Sequence, residues 1–333
     1  MDFMKLIKQS YEILESKGSL KDIELAGRVC YKSEDKISED NSSAIAFVNN
    51  LIERKHYAML EFGENIILSI SERDMLEYFR KLSFLSAFKA INISYIPEYY
   101  IISFNPRTAL EILEYIESID YNISITSLYN TLLDCLPKEF IKDKTKREIP
   151  YKLSEDFVVC SYDDLKDKIY NHHKTVTVKF ITNRGISHEI VRHRICSFAQ
   201  ESTRYCNYSK DKFKKSISYI APNWLNINEN IGIDIYKNKN YNVFKALYMS
   251  DQDKFKMTCL DNELEYFVAL KSGETAQQAR GKLSHDLKTE IIVKATLEEW
   301  KHIFNLRCAK DAHPQIRELM ILLSSYFYDT YKI

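Results

Sequence analysis

Only seven glycines stand among 333 residues, and none falls in a G-x-G-x-x-G or G-x-x-x-x-G-K-[ST] pattern. A Rossmann turn or a P-loop needs glycine where the backbone approaches a phosphate closely or takes a positive φ. Both are hard to build from this chain, so a bound nucleotide must be held by side chains and helix ends. The formal charge balance is zero, with 47 basic and 47 acidic residues. That argues against a general attraction to nucleic acid or anionic membrane and makes any basic site local. With 45% hydrophobic and 28% charged residues the composition is that of a globular protein with a sizeable core. Seven cysteines occur without a C-x-x-C pair, which disfavours a thiolate zinc site and suits reduced thiols. The N-terminus lacks the order of a signal peptide, and no apolar run is long enough to span a bilayer. The expectation is a cytoplasmic protein with no nucleic-acid partner, no membrane partner and no metal.

The pattern along the chain predicts α/β (α+β) architecture. Ser19 to Tyr31 reads as a helix capped by Ser19, and Ser43 to Lys55 as a second, with Ile45, Val48 and Ile52 on one stripe. The end of HYAMLEFGENIILSIS reads as a strand. Residues 175 to 182, TVTVKFIT, alternate as a half-buried strand does. Asn183, Arg184 and Gly185 then read as a turn, and ISHEIVRHRI as a helix. A helix from Asn262 to Ser272 stops at Gly273, and a C-terminal helix starts at Pro314. The stretch from about Glu72 to Tyr170 carries no chemical motif. The reading is one domain over 1–333, with a core of about 1–71 and 171–330 and an insertion of about 72–170. No internal repeat is visible, and His172 and His173 read as loop residues.

The informative stretch is Arg192-His193-Arg194-Ile195-Cys196-Ser197-Phe198-Ala199-Gln200-Glu201-Ser202-Thr203-Arg204-Tyr205. Three potential cations lie side by side, and a polar turn with a guanidinium follows. Ser202, Thr203 and Arg204 suit a phosphate cradle. On spacing alone, a solvated Arg-rich helix end explains the stretch equally well.

This stretch resembles the signature of the flavin-dependent thymidylate synthases, R-H-R-x-x-S-x-x-x-x-S-x-R-Y, at every fixed position. AGRVCYKSEDKI, the H-x-x-x-x-E block with His56 and Glu61, RGISHEIVRHR, TAQQARGKL with LKTEI, and NLRCAKDAHPQIREL resemble further blocks of that family in the same order. The resemblance covers roughly 19–70 and 171–325.

It implies a ThyX-like fold, a mixed or antiparallel sheet flanked by helices, and reductive methylation of dUMP to dTMP. Reduced FAD is the cofactor, with NADPH and methylenetetrahydrofolate as co-substrates, in a homotetramer with intersubunit active sites. Carried over residue by residue, it assigns catalysis to Arg307. It assigns dUMP to Glu189, Arg192, Gln200, Glu201, Ser202, Thr203, Arg204, Arg280 and Arg307. It assigns FAD to His56, Glu61, Arg192, His193, Arg194, Gln200, Thr296 and His302. Plainer readings stand beside these: a helix-end arginine for Arg307, surface groups for Arg280 and His302, and a carboxylate orienting Arg192 or His193 for Glu189. The family usually has N-x-R just before E-W, where this chain has Thr296 and Glu298; a Glu in place of a flavin-contacting Arg reverses the charge there. Leu283-Ser284 replaces the usual L-P, and Cys30 stands where some members have Ser. The competing readings are a related flavin-dependent pyrimidine-modifying enzyme and a catalytically impaired nucleotide-binding homologue. A third, an RNA-binding R-H-R helix, is weak at zero net charge.

Overall fold

The computed structural model describes residues 4–72, 90–118, 123–147, 157–225 and 249–333. In chain order its principal elements are β1 (Lys5–Ile7), β2 (Ser10–Leu14), α1 (Ser19–Tyr31), α2 (Ser42–Glu53), β3 (Ile66–Ser71), β4 (Ile91–Ile96) and β5 (Tyr99–Phe104). There follow α3 (Pro106–Ser118), α4 (Ile123–Cys135), β6 (Val158–Val159), α5 (Asp167–His173), β7 (Thr175–Asn183), α6 (Arg184–Ile190), β8 (Ser197–Gln200) and β9 (Ser218–Ile220). The chain closes with α7 (Asp251–Lys271), β10 (Lys288–Thr296), α8 (Leu297–Arg307) and α9 (Pro314–Tyr331).

Two antiparallel four-stranded sheets dominate, ordered β2-β7-β10-β8 and β4-β5-β3-β6. A short parallel pair, β1 and β9, stands apart. The architecture is α/β with mixed pairing and helices flanking the sheets, as expected.

The central strand β10 is buried on both faces, whereas β7 alternates buried and partly exposed residues as its sequence pattern dictates. Ile291, Val293 and Ala295 of β10 point to a layer built by α8 and α9, around Trp300, Phe304, Leu323 and Phe327. Trp300 is fully buried and donates its indole N–H to the Val176 carbonyl at 3.0 Å, so its one polar atom is satisfied. Full burial of each such apolar side chain stabilises by about 1.5–3 kcal/mol. On the other face Ile292 packs with Ala26 and Val29 of α1. The second sheet lays Leu68, Ile70, Ile102 and Phe104 against α2, α3 and α4. Its other face, with Ile67 and Ile101, meets Leu165, Ile169 and Tyr170.

Several local expectations shift. α1 spans the expected residues, but Gly18, at φ 95°, stands at its N-cap, and the Ser19 hydroxyl instead accepts from the Glu64 N–H at 2.9 Å. α1 meets α2 at Gly27, where a Cβ would lie 2.4 Å from the Phe47 ring. Arg184 and Gly185 lie inside α6, because the Asn183 carboxamide caps it from the Ile186 N–H at 2.7 Å. α6 ends at Ile190, so the R-H-R triplet sits on a turn and not on a helix. His172 and His173 lie on α5 and not in a loop. His173 is fully buried and bridges Ser103 Oγ at 2.7 Å and Ser94 Oγ at 3.0 Å, joining α5 to the second sheet. Residues 90–118 and 123–147 build that sheet and its helical cover around β3.

Candidate active site

α8 begins against the end of β10. Thr296 caps it, accepting from the Glu299 N–H at 3.2 Å. Its last residue, Arg307, lies over the turn that follows α6. Arg307 Nε donates to His193 Nε2, Nη1 to Glu189 Oε2 and Nη2 to the Glu189 carbonyl, each at 3.0 Å. Three of its five N–H groups are thereby fixed, which leaves two for a ligand. The side chain is 20% exposed, so those two are reachable. Glu189 therefore orients Arg307, a partner the sequence did not suggest.

His193 is buried. Burial, then the Arg307 guanidinium and His302, hold its pKa down at about 4. It is neutral near pH 7, and accepting from Arg307 at Nε2 leaves its proton on Nδ1. Nδ1 lies 3.9 Å from Glu299 Oε1, beyond hydrogen-bond reach. His302 is exposed and meets the His193 ring edge-on with centroids 6.2 Å apart. His193, Glu299 and His302 bring one donor atom each within 4.8 Å of one another. Arg307 already holds that imidazole, and its charge opposes a cation beside it. Burial raises the Glu299 pKa, with His302 countering.

The turn splits the R-H-R triplet. His193 points inward, while Arg192 and Arg194 are exposed and make no ion pair among the described residues. β8 then carries Gln200, whose amide donates to Ser187 Oγ at 2.7 Å and Thr289 Oγ1 at 3.2 Å. Glu201 is buried, receiving Lys288 Nζ at 3.0 Å, so its side chain is engaged within the protein. Lys288 also bonds Glu290, which Lys32 and Lys179 contact as well. Lys288 and Lys32 hold the Glu290 carboxyl far below the usual range despite burial.

The Ser202 N–H donates to the Cys30 carbonyl of α1 at 3.0 Å, pinning the next turn to the N-terminal part of the chain. Thr203 is half-buried there, and Arg204 is exposed with Nε on Gln277 Oε1 at 2.8 Å. Arg280, in the turn after the short helix Ala276–Ala279, is exposed and makes no ion pair among the described residues. It faces Arg184, an unforeseen member of the cluster: burial, with Arg280 contributing, lowers the Arg184 pKa. Arg184 donates to the Glu201 carbonyl at 3.3 Å. A strand-end arginine followed by glycine gave no sequence signal for that role.

The remaining candidates lie elsewhere. His56 is exposed and precedes the 3-10 turn Tyr57–Phe62. Glu61, in that turn, accepts from Arg107 Nη1 of α3 at 2.6 Å. Glu298 is exposed and pairs with His172 at 2.7 Å. The donor set suits an anionic dinucleotide: Arg192, Arg194 and Arg280 present unpaired guanidinia, and a pyrophosphate takes such charge-assisted donors readily.

Residues 166–330 match the family model described as Thymidylate synthase complementing protein. Curated relatives named flavin-dependent thymidylate synthase include one from Geobacter sulfurreducens, 30% identical over 139 residues, covering 42% of this chain and 50% of that protein. Another, from Pyrococcus abyssi, is 28% identical over 177 residues, covering 50% of this chain and 64% of that protein. The chain thus spans half to under two thirds of the length of these relatives. Among solved structures, the UMP/dUMP methylase PolB from Streptomyces cacaoi with 5-Br dUMP is 13% identical, with a TM-score of 0.39 over 98% of this chain and 93% of the other. Thymidylate Synthase X from Helicobacter pylori with FAD and dUMP is 18% identical, with a TM-score of 0.32 over 45% of this chain and 66% of that one. The structural likenesses are loose and carry no weight for function. Residues 166–330 are thus similar to the flavin-dependent thymidylate synthases.

Proposed function

We propose that this protein is a flavin-dependent thymidylate synthase that converts dUMP to dTMP, with methylenetetrahydrofolate as carbon donor and NADPH-reduced FAD. It works as a cytoplasmic oligomer, a homotetramer by family likeness, with sites between subunits. The observation that carries this reading is Arg307, fixed by Glu189 and neutral His193 with two N–H groups left over. A uracil ring becomes reactive at C5 when negative charge on its O2–N3 face is stabilised. A preorganised guanidinium supplies that stabilisation without a covalent enzyme adduct. Because His193 is neutral, it accepts from Arg307 and does not compete for the same charge.

Ser202, Thr203, Arg204 and Arg280 bind the dUMP phosphate, with Gln200 holding the base of that turn. Arg192 and Arg194 reach outward to the FAD pyrophosphate, and His302 lies beside them. When bound, the flavin supplies the redox step and relays the one-carbon unit; the protein binds, orients and excludes water. On this reading, purified protein titrated with FAD quenches flavin fluorescence, and Arg192→Ala weakens the uptake. No change at saturating FAD, with or without dUMP, removes the assignment.

A further inference from the structure

The two four-stranded sheets are the same construction made twice. In each, a strand runs antiparallel to a long central strand, which in turn pairs antiparallel with another: β7-β10-β8 in one and β3-β5-β4 in the other. The chain order agrees, with β7, β8, β10 answering β3, β4, β5. A capping residue at or just after the end of each central strand opens a helix, and a second helix follows: β10, Thr296, α8, α9 and β5, Asn105, α3, α4. The caps are alike in detail. Thr296 Oγ1 accepts from the N–H three residues on at 3.2 Å, and Asn105 Oδ1 accepts from the Thr108 N–H at 2.9 Å.

The fourth strand of each sheet is exchanged. β2 precedes α1 yet pairs with β7, and β6 precedes β7 yet pairs with β3. Leu20-Lys21-Asp22 and Leu165-Lys166-Asp167 follow these two strands and enter α1 and α5. α1 packs across on β8, and α5 packs across on β4. Two residues before each cap stand Lys294 and Ser103. Both reach the opposite half: Lys294 Nζ to the Gly63 carbonyl at 2.5 Å and Asn65 Oδ1 at 2.8 Å, Ser103 Oγ to His173 Nδ1 at 2.7 Å. Burial holds Lys294 down to about 8, as befits an amine shut into that joint.

We propose that the described residues within 10–135 are a first, diverged copy of the family unit, locked to the second by reciprocal strand exchange, and that this copy supplies Arg107 as a ligand for the FAD pyrophosphate. On this view the middle of the chain completes the first copy, where sequence reading takes it for an insertion. The copies have lost complementary parts. Counting from the caps, Arg107 stands where the second copy has Glu298, so Asn105-Pro106-Arg107 restores the N-x-R that Thr296 and Glu298 break. Conversely, Ile116 stands at the position of Arg307 and is buried. Arg107 side-chain exposure is 36%, and Glu61 and Glu111 steady its guanidinium from one side through Nη1 at 2.6 Å and Nε at 2.8 Å. Its Nη2 is left to a ligand. Glu61 thereby meets, on the first copy, the arginine that the flavin assignment of the His56–Glu61 block lacks on the second.

This rests on the flavin reading above, and the test separates the two. FAD is titrated into the full chain and followed by flavin fluorescence, for wild type, Arg107→Ala and Arg107→Lys, with dUMP affinity and the melting temperature of each variant measured alongside. Arg107→Ala is expected to weaken FAD binding by about tenfold to a hundredfold, the effect of losing one charge-assisted contact. Arg107→Lys, which keeps the charge and the pairing with Glu61, is expected to lose less, and dUMP affinity to stay unchanged. Wild-type FAD affinity in both variants overturns the proposal while leaving the enzyme reading intact. A wild-type chain that takes up no FAD overturns both. An Arg107→Ala chain that melts early and binds dUMP poorly makes Arg107→Lys decisive: folded and with unaltered FAD affinity, it counts against the proposal.

Discussion

Arg307 closes α8 beside His193 and Glu189 with part of its fork open, whereas Ile116, the same distance beyond its own cap in α3, is packed into an apolar core. One frame thus serves two purposes. Around β10 the polar groups converge and two exposed arginines make no ion pair among the described residues; around β5 the corresponding helices, α3 and α4, fill a core with Leu110, Ile112, Leu113 and Leu132. The contrast teaches that topology and capping set where a reactive side chain can stand, and a single residue at that place decides whether the unit is chemical or structural.

The contrast breaks most sharply at Arg307. Because negative charge on the uracil grows toward the transition state, Arg307→Ala should lower turnover by on the order of a hundredfold to a thousandfold, with a smaller loss of dUMP affinity. Arg307→Lys should be partly competent, since it keeps charge and loses the fork. Turnover and dUMP affinity with FAD content checked decide this. Near-normal turnover at saturating dUMP would leave Arg307 a helix-end residue.

Next in size is a pH effect. His193, in the site, and His173, at the joint between the sheets, are both held down to about 4, first by burial. Each folds best neutral. Their contribution is complete above the unfolded pKa near 6.5 and is lost as pH falls from there toward 4. The loss is on the order of 3 kcal/mol for each. Urea midpoints across that window should fall for wild type, and His173→Gln should flatten the slope without abolishing FAD uptake. An unchanged slope would place the joint elsewhere.

Arg204→Ala and Arg280→Ala should weaken dUMP binding by about tenfold while sparing turnover at saturation, because the phosphate is the same in ground and transition states. Calorimetric affinities check this, and an equal loss in turnover would move these residues into the chemistry. The smallest effect is expected far from both caps. Lys146 pairs with Asp134 on the surface, with 58% and 60% of the two side chains exposed, a pair worth about 0–1 kcal/mol. Lys146→Ala should leave turnover unchanged; a large loss in a folded variant would bring that surface into the active site.

Sequence alone located β7 and α1 within a residue, and the start of α9, because alternation, helical stripes and an N-terminal proline are local signals. It ran α6 on through the R-H-R triplet, since His, Glu, Val and Arg all tolerate helix. The chain turns there because Arg192 N–H and His193 N–H bond three residues back, to the Glu189 and Ile190 carbonyls. That turn lets His193 face inward while its two neighbours face out, a division no periodicity encodes. The pairing of Glu189 with Arg307 joins residues far apart in the chain and was invisible for the same reason. The repeat of strand, cap and two helices escaped notice because what recurs is hydrogen-bond register and capping geometry, while the side chains have diverged to Asn105 and Thr296, Arg107 and Glu298.

The most direct measurement is product formation. Purified protein is incubated with dUMP, methylenetetrahydrofolate, NADPH and FAD, and dTMP is separated and quantified, with and without each component and with Arg307→Ala. dTMP that appears only when FAD is present and falls by about a hundredfold or more in Arg307→Ala is the predicted result. Tight FAD and dUMP binding with no dTMP, or dTMP formed equally well without Arg307, would contradict the account.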